Sequence, residues 1–446
     1  MTEEQFIKEL NSSRNLFITG PAGTGKSYYL NKYIESHDNV LVCAPTGIAA
    51  LHVGGETMHR IFHIPVPSFD TPSFAKGKKG AITKGQLQVI AKADTIIIDE
   101  ISMCRNDVFR FAIKVIRKAE KLKGSKIRLI VSGDFSQLPP VVKKGEEKYM
   151  RKFKLDTSGY AFTTAEWKSC NFKVVELNEI KRQDNTEFIE QLNQIRIGIL
   201  KDFSYFEQFV DENPKDENSV YICGTNAVAD RINNEYLEAI PGEAVVFQAR
   251  KEGRANYTSG FDNDLIVVKK GCRIIFVSND LRYNKYKNGM FGVIQSFHDG
   301  YVKVKTENGI IDVYRQEYPL YSYSAQGSSL GKKEVGMIRQ FPFKLGKAIT
   351  IHKSQGQTFD NVIISPDIFA AGQLYVVLSR VRDPKGMKLL RMITRDDVIL
   401  DPVVQKFYKN GYSWTVKRAS STTTAKKPTA KKPVKKSVTR RTKGRR

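Results

Sequence analysis

The chain has 446 residues, 41% of them hydrophobic and 27% charged, and a formal net charge of +25. No apolar run approaches the roughly 18 residues of a membrane span, so a membrane role is unsupported. Cys43, Cys104, Cys170, Cys223 and Cys272 never form a C-x-x-C pair, which argues against a disulfide scaffold or zinc site and for thiols packed in a reducing compartment. Lys417 to Arg446 hold 13 Lys or Arg and no acid, leaving +12 for the rest, so both parts favour a polyanionic partner.

His52, His59 and His63 lie close together, but no carboxylate or cysteine completes a ligand set, and no metal site is expected there. The N-terminal residues are acidic and lack both an apolar signal core and an Arg-rich presequence pattern. Phe6, Ile7 and Leu10 give the first ten residues one apolar helical face. A short apolar run, Leu16 to Ile18, then meets Gly20-Pro-Ala-Gly-Thr-Gly-Lys-Ser27, and helix-compatible Tyr28 to Ile34 follows. Strand, glycine turn and helix in that order are what a Walker A loop needs. Gly20, Gly23 and Gly25 let the backbone N–H groups, Thr24's included, turn inward around phosphates, with the positive helix end behind them. Lys26 is placed for the outer phosphates and Ser27 for magnesium.

Asn39 to Cys43 reads as a second buried strand, ending at Pro45, Thr46 and Gly47, where an open parallel sheet gathers ligands. The Pro-, Gly- and Lys-rich passage from Ile64 to about Gly85 has neither helical nor strand period. Thr95 to Ile98 delivers Asp99 and Glu100 at a strand end, a Walker B pattern in which Asp99 holds magnesium and Glu100 takes a proton from the attacking water. Ile127 to Val131 leads to Ser132-Gly-Asp-Phe-Ser-Gln-Leu-Pro-Pro140, where Gln137 offers an amide to a phosphate or a water. Asp184 and Glu187 suggest a capping arrangement for a helix carrying Phe188, Leu192 and Ile195 and closed by Gly198, with Arg182 near its start. From about Leu265 short strands parted by Asn288-Gly289, Asp299-Gly300 and Asn308-Gly309 predict hairpins; Lys285, Tyr286, Lys287 and Phe291 suit a DNA strand and a solvated hairpin equally well. Residues 417–446 repeat Ala-Lys-Lys-Pro and have nothing to bury, so a disordered basic tail is expected.

The Walker A loop, APTGIAA (44–50), GGETMH (54–59), IIIDEISM (96–103), SGDFSQLPPV (132–141), ELNEIKRQDNTEF (176–188), TIHKSQGQTFD (350–360) and GQLYVVLSRV (372–381) stand in the order seen in superfamily 1B DNA helicases. The chain resembles the PIF-one and RecD branch, from about residue 3 to 390. That resemblance implies an α/β fold of two RecA-like lobes, 1–175 and 176–265 plus 346–416. It adds a wedge-like insertion at about 63–90, an SH3-like β-barrel at 266–345 and the tail at 417–446. It implies ATP and magnesium as cofactors, Gln5 as adenine reader, Gly356 toward the phosphates, and Arg182 and Arg380 as γ-phosphate arginines from the opposite lobe. Pro45, Thr46, Gly47, Thr57, His59, Phe62, Thr350, His352 and Ser354 are the implied DNA contacts. The expected partners are single-stranded and forked DNA, with replication or repair proteins beside them, for an intracellular monomer that travels 5′-to-3′ in a nucleus, a viral replication site or a prokaryotic cytoplasm. A translocase that strips proteins without parting strands would keep every motif.

Overall fold

The computed structural model describes residues 3–64, 82–214, 219–257, 263–280, 283–286, 290–326 and 329–412. The core of the expected wedge (65–81), the Asn288-Gly289 turn and the basic tail lie outside them. A six-stranded, all-parallel sheet in the order β3-β2-β4-β5-β1-β6 builds the first lobe, from β1 (Leu16–Thr19), β2 (Val40–Ala44), β3 (Glu56–Thr57), β4 (Thr95–Ile98), β5 (Arg128–Ser132) and β6 (Lys173–Glu176). Both faces of the central strands are covered, which is why Thr95 to Ile98 is buried throughout rather than alternating. Covering them are α1 (Glu3–Leu10), α2 (Lys26–Ser36), α3 (Gly47–His52), α4 (Met58–Ile61), α5 (Lys84–Lys92), α6 (Asn106–Lys123), α7 (Glu147–Lys152) and α8 (Ala165–Cys170). Helix α6 buries Val108, Phe109, Ala112, Val115, Ile116 and Ala119 at helical spacing and stops at Gly124, whose φ of 77° a side chain would strain.

A second sheet, four parallel strands in the order β18-β7-β19-β20, forms the other lobe from β7 (Val220–Cys223), β18 (Ala348–Thr350), β19 (Val362–Ile364) and β20 (Met387–Leu389). Its helices are α9 (Thr186–Arg196), α10 (Asn226–Ala239), α11 (Ile351–Ser354) and α12 (Gln373–Leu378). Between β7 and β18 the chain turns antiparallel. Strands β8 (Val245–Gln248) and β10 (Leu265–Val268) pair, and β11 (Arg273–Phe276), β12 (Phe291–Phe297), β13 (Tyr301–Thr306), β14 (Gly309–Tyr314) and β17 (Phe343–Leu345) make a five-stranded sheet. A long hairpin of β15 (Gln316–Gln326) and β16 (Ser329–Gln340) pairs with β9 (Arg250–Gly253).

Four boundaries differ from the sequence reading. Strand β6 runs to Glu176 inside the first sheet, because Val175 and Glu176 pair with Ile18 and Thr19. Antiparallel pairing begins at Val245 rather than 266, since β8 and β9 recruit partners far along the chain. Helix α9 is capped by Asn185, which accepts from Phe188 N at 2.8 Å, and so begins one residue later than an Asp184 cap would place it. The helix α13 (Pro402–Lys409), assigned by sequence to the second lobe, inserts Val404 and Phe407 into the first lobe's core beside Phe17, Phe135, Phe162 and Trp167.

Candidate active site

The glycine turn joins β1 to α2, and its backbone conformation is what only glycine takes without strain: φ is 137° at Gly20, 81° at Gly23 and 83° at Gly25. Close approach adds a second reason. A Cβ on Gly20 would lie 2.1 Å from Leu177 O, and one on Gly23 would lie 2.6 Å from Arg182 Cβ. Lys26 donates from Nζ to Gly20 O and Pro21 O, both at 2.8 Å, so it is folded onto the turn. Thr24 donates to Pro21 O at 3.0 Å, while Ser27 is exposed at the helix start, its hydroxyl beside Asp99. Gln5 is exposed on α1, whose Phe6 ring packs 4.8 Å from Tyr29 on α2.

Asp99 and Glu100 follow β4 at the same sheet edge. Glu100 has φ 51°, a backbone strain held by its surroundings. Burial pushes both carboxyls up; Glu100, which also faces Asp99, reaches about 7. Burial pulls Lys26 down to about 8 against the carboxylates of Asp134, Glu100 and Asp99. The cleft therefore disfavours every unneutralised charge, as expected where an anionic ligand and a cation complete the balance. A phosphate chain fits the inward-turned backbone, and a magnesium ion fits the Ser27 hydroxyl with the Asp99 carboxylate.

The second lobe closes on this edge at several points. Arg182 lies on the connection between lobes rather than in the body of the second: Lys181 N donates to Gly23 O at 2.8 Å, and Arg182 Nη1 donates to Ser379 O at 3.0 Å. Arg380 is buried, its guanidinium donating to Val376 O at 2.9 Å and Ser379 Oγ at 2.9 Å, and burial with neighbouring Arg182 lowers it to about 9. Two contacts had no signal in the sequence reading. Ala22 N donates to the Tyr375 hydroxyl at 2.8 Å, and Gln355 Nε2 donates to Glu100 Oε2 at 3.2 Å. Gln137 sits in the buried loop after β5, and the same loop presents Asp134 to Arg196 Nε at 3.0 Å and to the Tyr408 hydroxyl at 3.0 Å. Burial works to raise the Asp134 carboxyl, but Arg196 and Lys26 outweigh it and hold it low. That buried ion pair ties the first lobe to α9, and the Tyr408 hydrogen bond ties it to α13.

The proposed strand contacts divide by exposure. Pro45, Thr46 and Gly47 line the β2–α3 turn, Gly47 exposed and the others half-buried; Thr57 caps α4 by accepting from Arg60 N at 3.3 Å, and His59 is half-buried. His352 and Gly356 are exposed at the end of β18 and α11. Phe62, by contrast, has no exposed surface and belongs to the core with Met58 and Ile98, so it has no face to stack on a base. Ser354 is equally buried, donating to Ile351 O at 2.7 Å, and Thr350 caps α11 by accepting from Lys353 N at 3.3 Å. Tyr286 stacks on Phe276 at 4.3 Å inside the β-rich part, which removes it from the basic–aromatic group.

The PIF1-like helicase family model matches residues 4–204. The ATP-dependent DNA helicase Pif1 of Campylobacter jejuni is 32% identical over 417 residues, covering 86% of this chain and 90% of that protein. The chain belongs to the PIF1-like helicase family. Its fold agrees with that of Bacteroides sp Pif1 in complex with ADP-AlF4, at a TM-score of 0.81 and 32% identity over 92% of this chain and 96% of that one. Against Bacteroides Pif1 bound to ssDNA, with the same identity and coverage, the TM-score is 0.64. The two lobes are accordingly of the RecA-like type.

Proposed function

We propose that the chain is an ATP-dependent DNA helicase that moves along one strand as its two lobes close on a nucleotide and part after hydrolysis. One observation carries the reading most: Tyr375, Gln355, Arg182 and Arg380, all from beyond the first sheet, converge on the Walker turn and Glu100. Lys26, Gly23 and Gly25 bind the phosphates, Gln5 reads adenine, and Ser27 with Asp99 hold magnesium, which when bound neutralises phosphate charge. Glu100 accepts a proton from water, Gln137 orients that water, and the two arginines stabilise charge that develops in transfer, a contribution of about 10³ to 10⁵ in rate for a well-placed arginine. Because Arg380 comes from the second lobe and acts only in a closed cleft, hydrolysis is tied to lobe position.

The strand crosses both lobes along Pro45–Gly47, Thr57, His59 and His352. The family resemblance favours 5′-to-3′ travel and an SH3-like arrangement within the antiparallel strands between β7 and β18. Bacteroides Pif1 bound to ssDNA agrees less well in overall fold than its ADP-AlF4 complex, which supports a rearrangement of parts when the strand binds. The test is unwinding of matched 5′-tailed and 3′-tailed duplexes with ATP, by the chain and by Lys26→Ala. The variant is expected to lose DNA-stimulated hydrolysis by about 10²-fold or more while still binding DNA; strand separation by the variant would overturn the assignment.

A further inference from the structure

Outside the motifs, the first lobe carries a basic surface that strand tracking leaves unused. Between residues 143 and 154 stand six cations, Lys143, Lys144, Lys148, Arg151, Lys152 and Lys154, all exposed. Tyr149 and Phe153 lie among them, each 38% exposed. The segment is anchored from beneath: Met150 and Leu155 are buried, and Arg110 on α6 donates to Phe153 O at 2.8 Å and Lys154 O at 3.2 Å. Its two acids are turned aside, Glu146 onto Arg105 at 3.0 Å and Glu147 onto Gly145 N at 2.9 Å. What faces solvent is cationic and aromatic.

From Arg110 the charge continues along α6. Lys114, Arg117, Lys118 and Lys121 follow at four, seven, eight and eleven positions, all exposed, which places them on one helical face over about 17 Å at ~1.5 Å per residue. The acids bordering this face are engaged, Glu166 with Arg110 at 3.4 Å and Glu120 with Lys126 at 3.1 Å. The opposite end of the surface lies beside α4. Cys104 Sγ is 3.5 Å from Met58 Sδ, Asp107 and Arg105 act on the His59 imidazole, and Arg105 in turn holds Glu146. The track thus starts next to the Thr57–His59 contacts and leads away from them.

We propose that this track holds the strand that unwinding displaces, its phosphates along the cations and its bases against Tyr149 and Phe153. Rings interleaved with cations favour a single strand, because unpaired bases expose the faces on which stacking occurs whereas a duplex hides them. The inference rests on the helicase reading, in which a second strand must leave near the tracked one. A held displaced strand cannot re-anneal behind the junction, which is what the surface would contribute to unwinding.

The test uses the full chain and a fork with two non-complementary tails. A benzophenone attached at Arg151→Cys, with the unsubstituted chain treated alike as background, is expected to crosslink to the non-tracked tail; crosslinks confined to the tracked tail or to the duplex, or none, overturn the proposal. In a second arm, Lys148→Gln, Arg151→Gln and Lys152→Gln are combined. Unwinding of the two-tailed fork is expected to fall about three- to tenfold, and the log–log salt slope of fork binding to shrink by about 0.7 for each phosphate no longer neutralised. Unwinding of a duplex bearing only the tracked tail should fall too, since its other strand is also displaced, whereas hydrolysis stimulated by a single-stranded oligonucleotide should stay within about twofold. Failure of oligonucleotide stimulation would show that the tracked strand itself runs here, overturning this proposal while leaving the helicase reading intact. No reduction in unwinding of either substrate would overturn it as well.

Discussion

At Glu100 and Lys26 the cleft sets two ionisations close together. As the proposed base, Glu100 can accept a proton only when deprotonated, and burial beside Asp99 raises it to about 7, so activity should rise with pH up to there. Lys26 binds phosphate best when charged, and burial lowers it to about 8, so activity should fall above that value. Because kcat/KM reports ionisations of the free enzyme, its pH profile is expected to be a narrow bell with limbs near those two values. Glu100→Gln should cut turnover by about 10²- to 10⁴-fold with nucleotide binding retained, and should abolish the acid limb. An acid limb that survives in the variant assigns the base elsewhere. Tyr375→Phe removes the acceptor for Ala22 N, a loss of about 1 kcal/mol or roughly fivefold in kcat/KM for ATP. Steady-state kinetics with a thermal midpoint beside them separates that from a general loss of stability. The Walker turn was legible because its demands are local: glycines where φ is positive, a lysine and serine opening a helix. Tyr375 and Gln355 were not, since their partners lie 353 and 255 residues away and neither residue type announces a role. Phe62 and Ser354 err in the opposite direction, for their motif suggests a strand contact while burial leaves no surface to make one.

Among the elements, α13 shows where pattern alone stops. Its amphipathic spacing requires a buried face, but nothing in the spacing says whose core receives it. Phe407 is stacked on Phe162 at 4.1 Å and meets Phe135 at 5.6 Å, so the helix seals the first lobe although it follows the second in the chain. Truncating that ring should leave a cavity and cost about 3–5 kcal/mol. Phe407→Ala is therefore expected to shift the denaturant midpoint of the unit containing Trp167, followed by tryptophan fluorescence, because Trp167 shares this cluster at 6.4 Å. An unshifted midpoint would mean that the helix is peripheral. The parallel strands were easier to read, as fully buried runs such as Thr95–Ile98 leave few alternatives. Strands β8 and β9 were harder: their burial is intermittent, and they become strands through partners supplied by β10 and β16.

For the whole molecule, the hairpin β15–β16 links what sequence order keeps apart. It grows from the β-rich part yet reaches the first lobe, where Val42 N donates to the Tyr323 hydroxyl at 3.4 Å and Leu330 N donates to Asn39 Oδ1 at 2.9 Å. Tyr323 and Leu330 also pack against the first lobe's core. Each of these hydrogen bonds contributes about 1 kcal/mol to docking, and the hairpin packs on α5 as well, so strand binding has to overcome both. If the strand draws the β-rich part away from the first lobe, as proposed, this contact must yield with it. Dyes placed on exposed Asp38 and Lys333 should then show energy transfer that falls when single-stranded DNA is added and recovers when it is removed. Asn39→Ala, which deletes the acceptor for Leu330 N, should lower the starting transfer and raise strand affinity by up to about tenfold, because less docking energy is left to overcome. Transfer that ignores DNA would leave the hairpin a fixed brace, and the lobes would then have to move with it rather than against it.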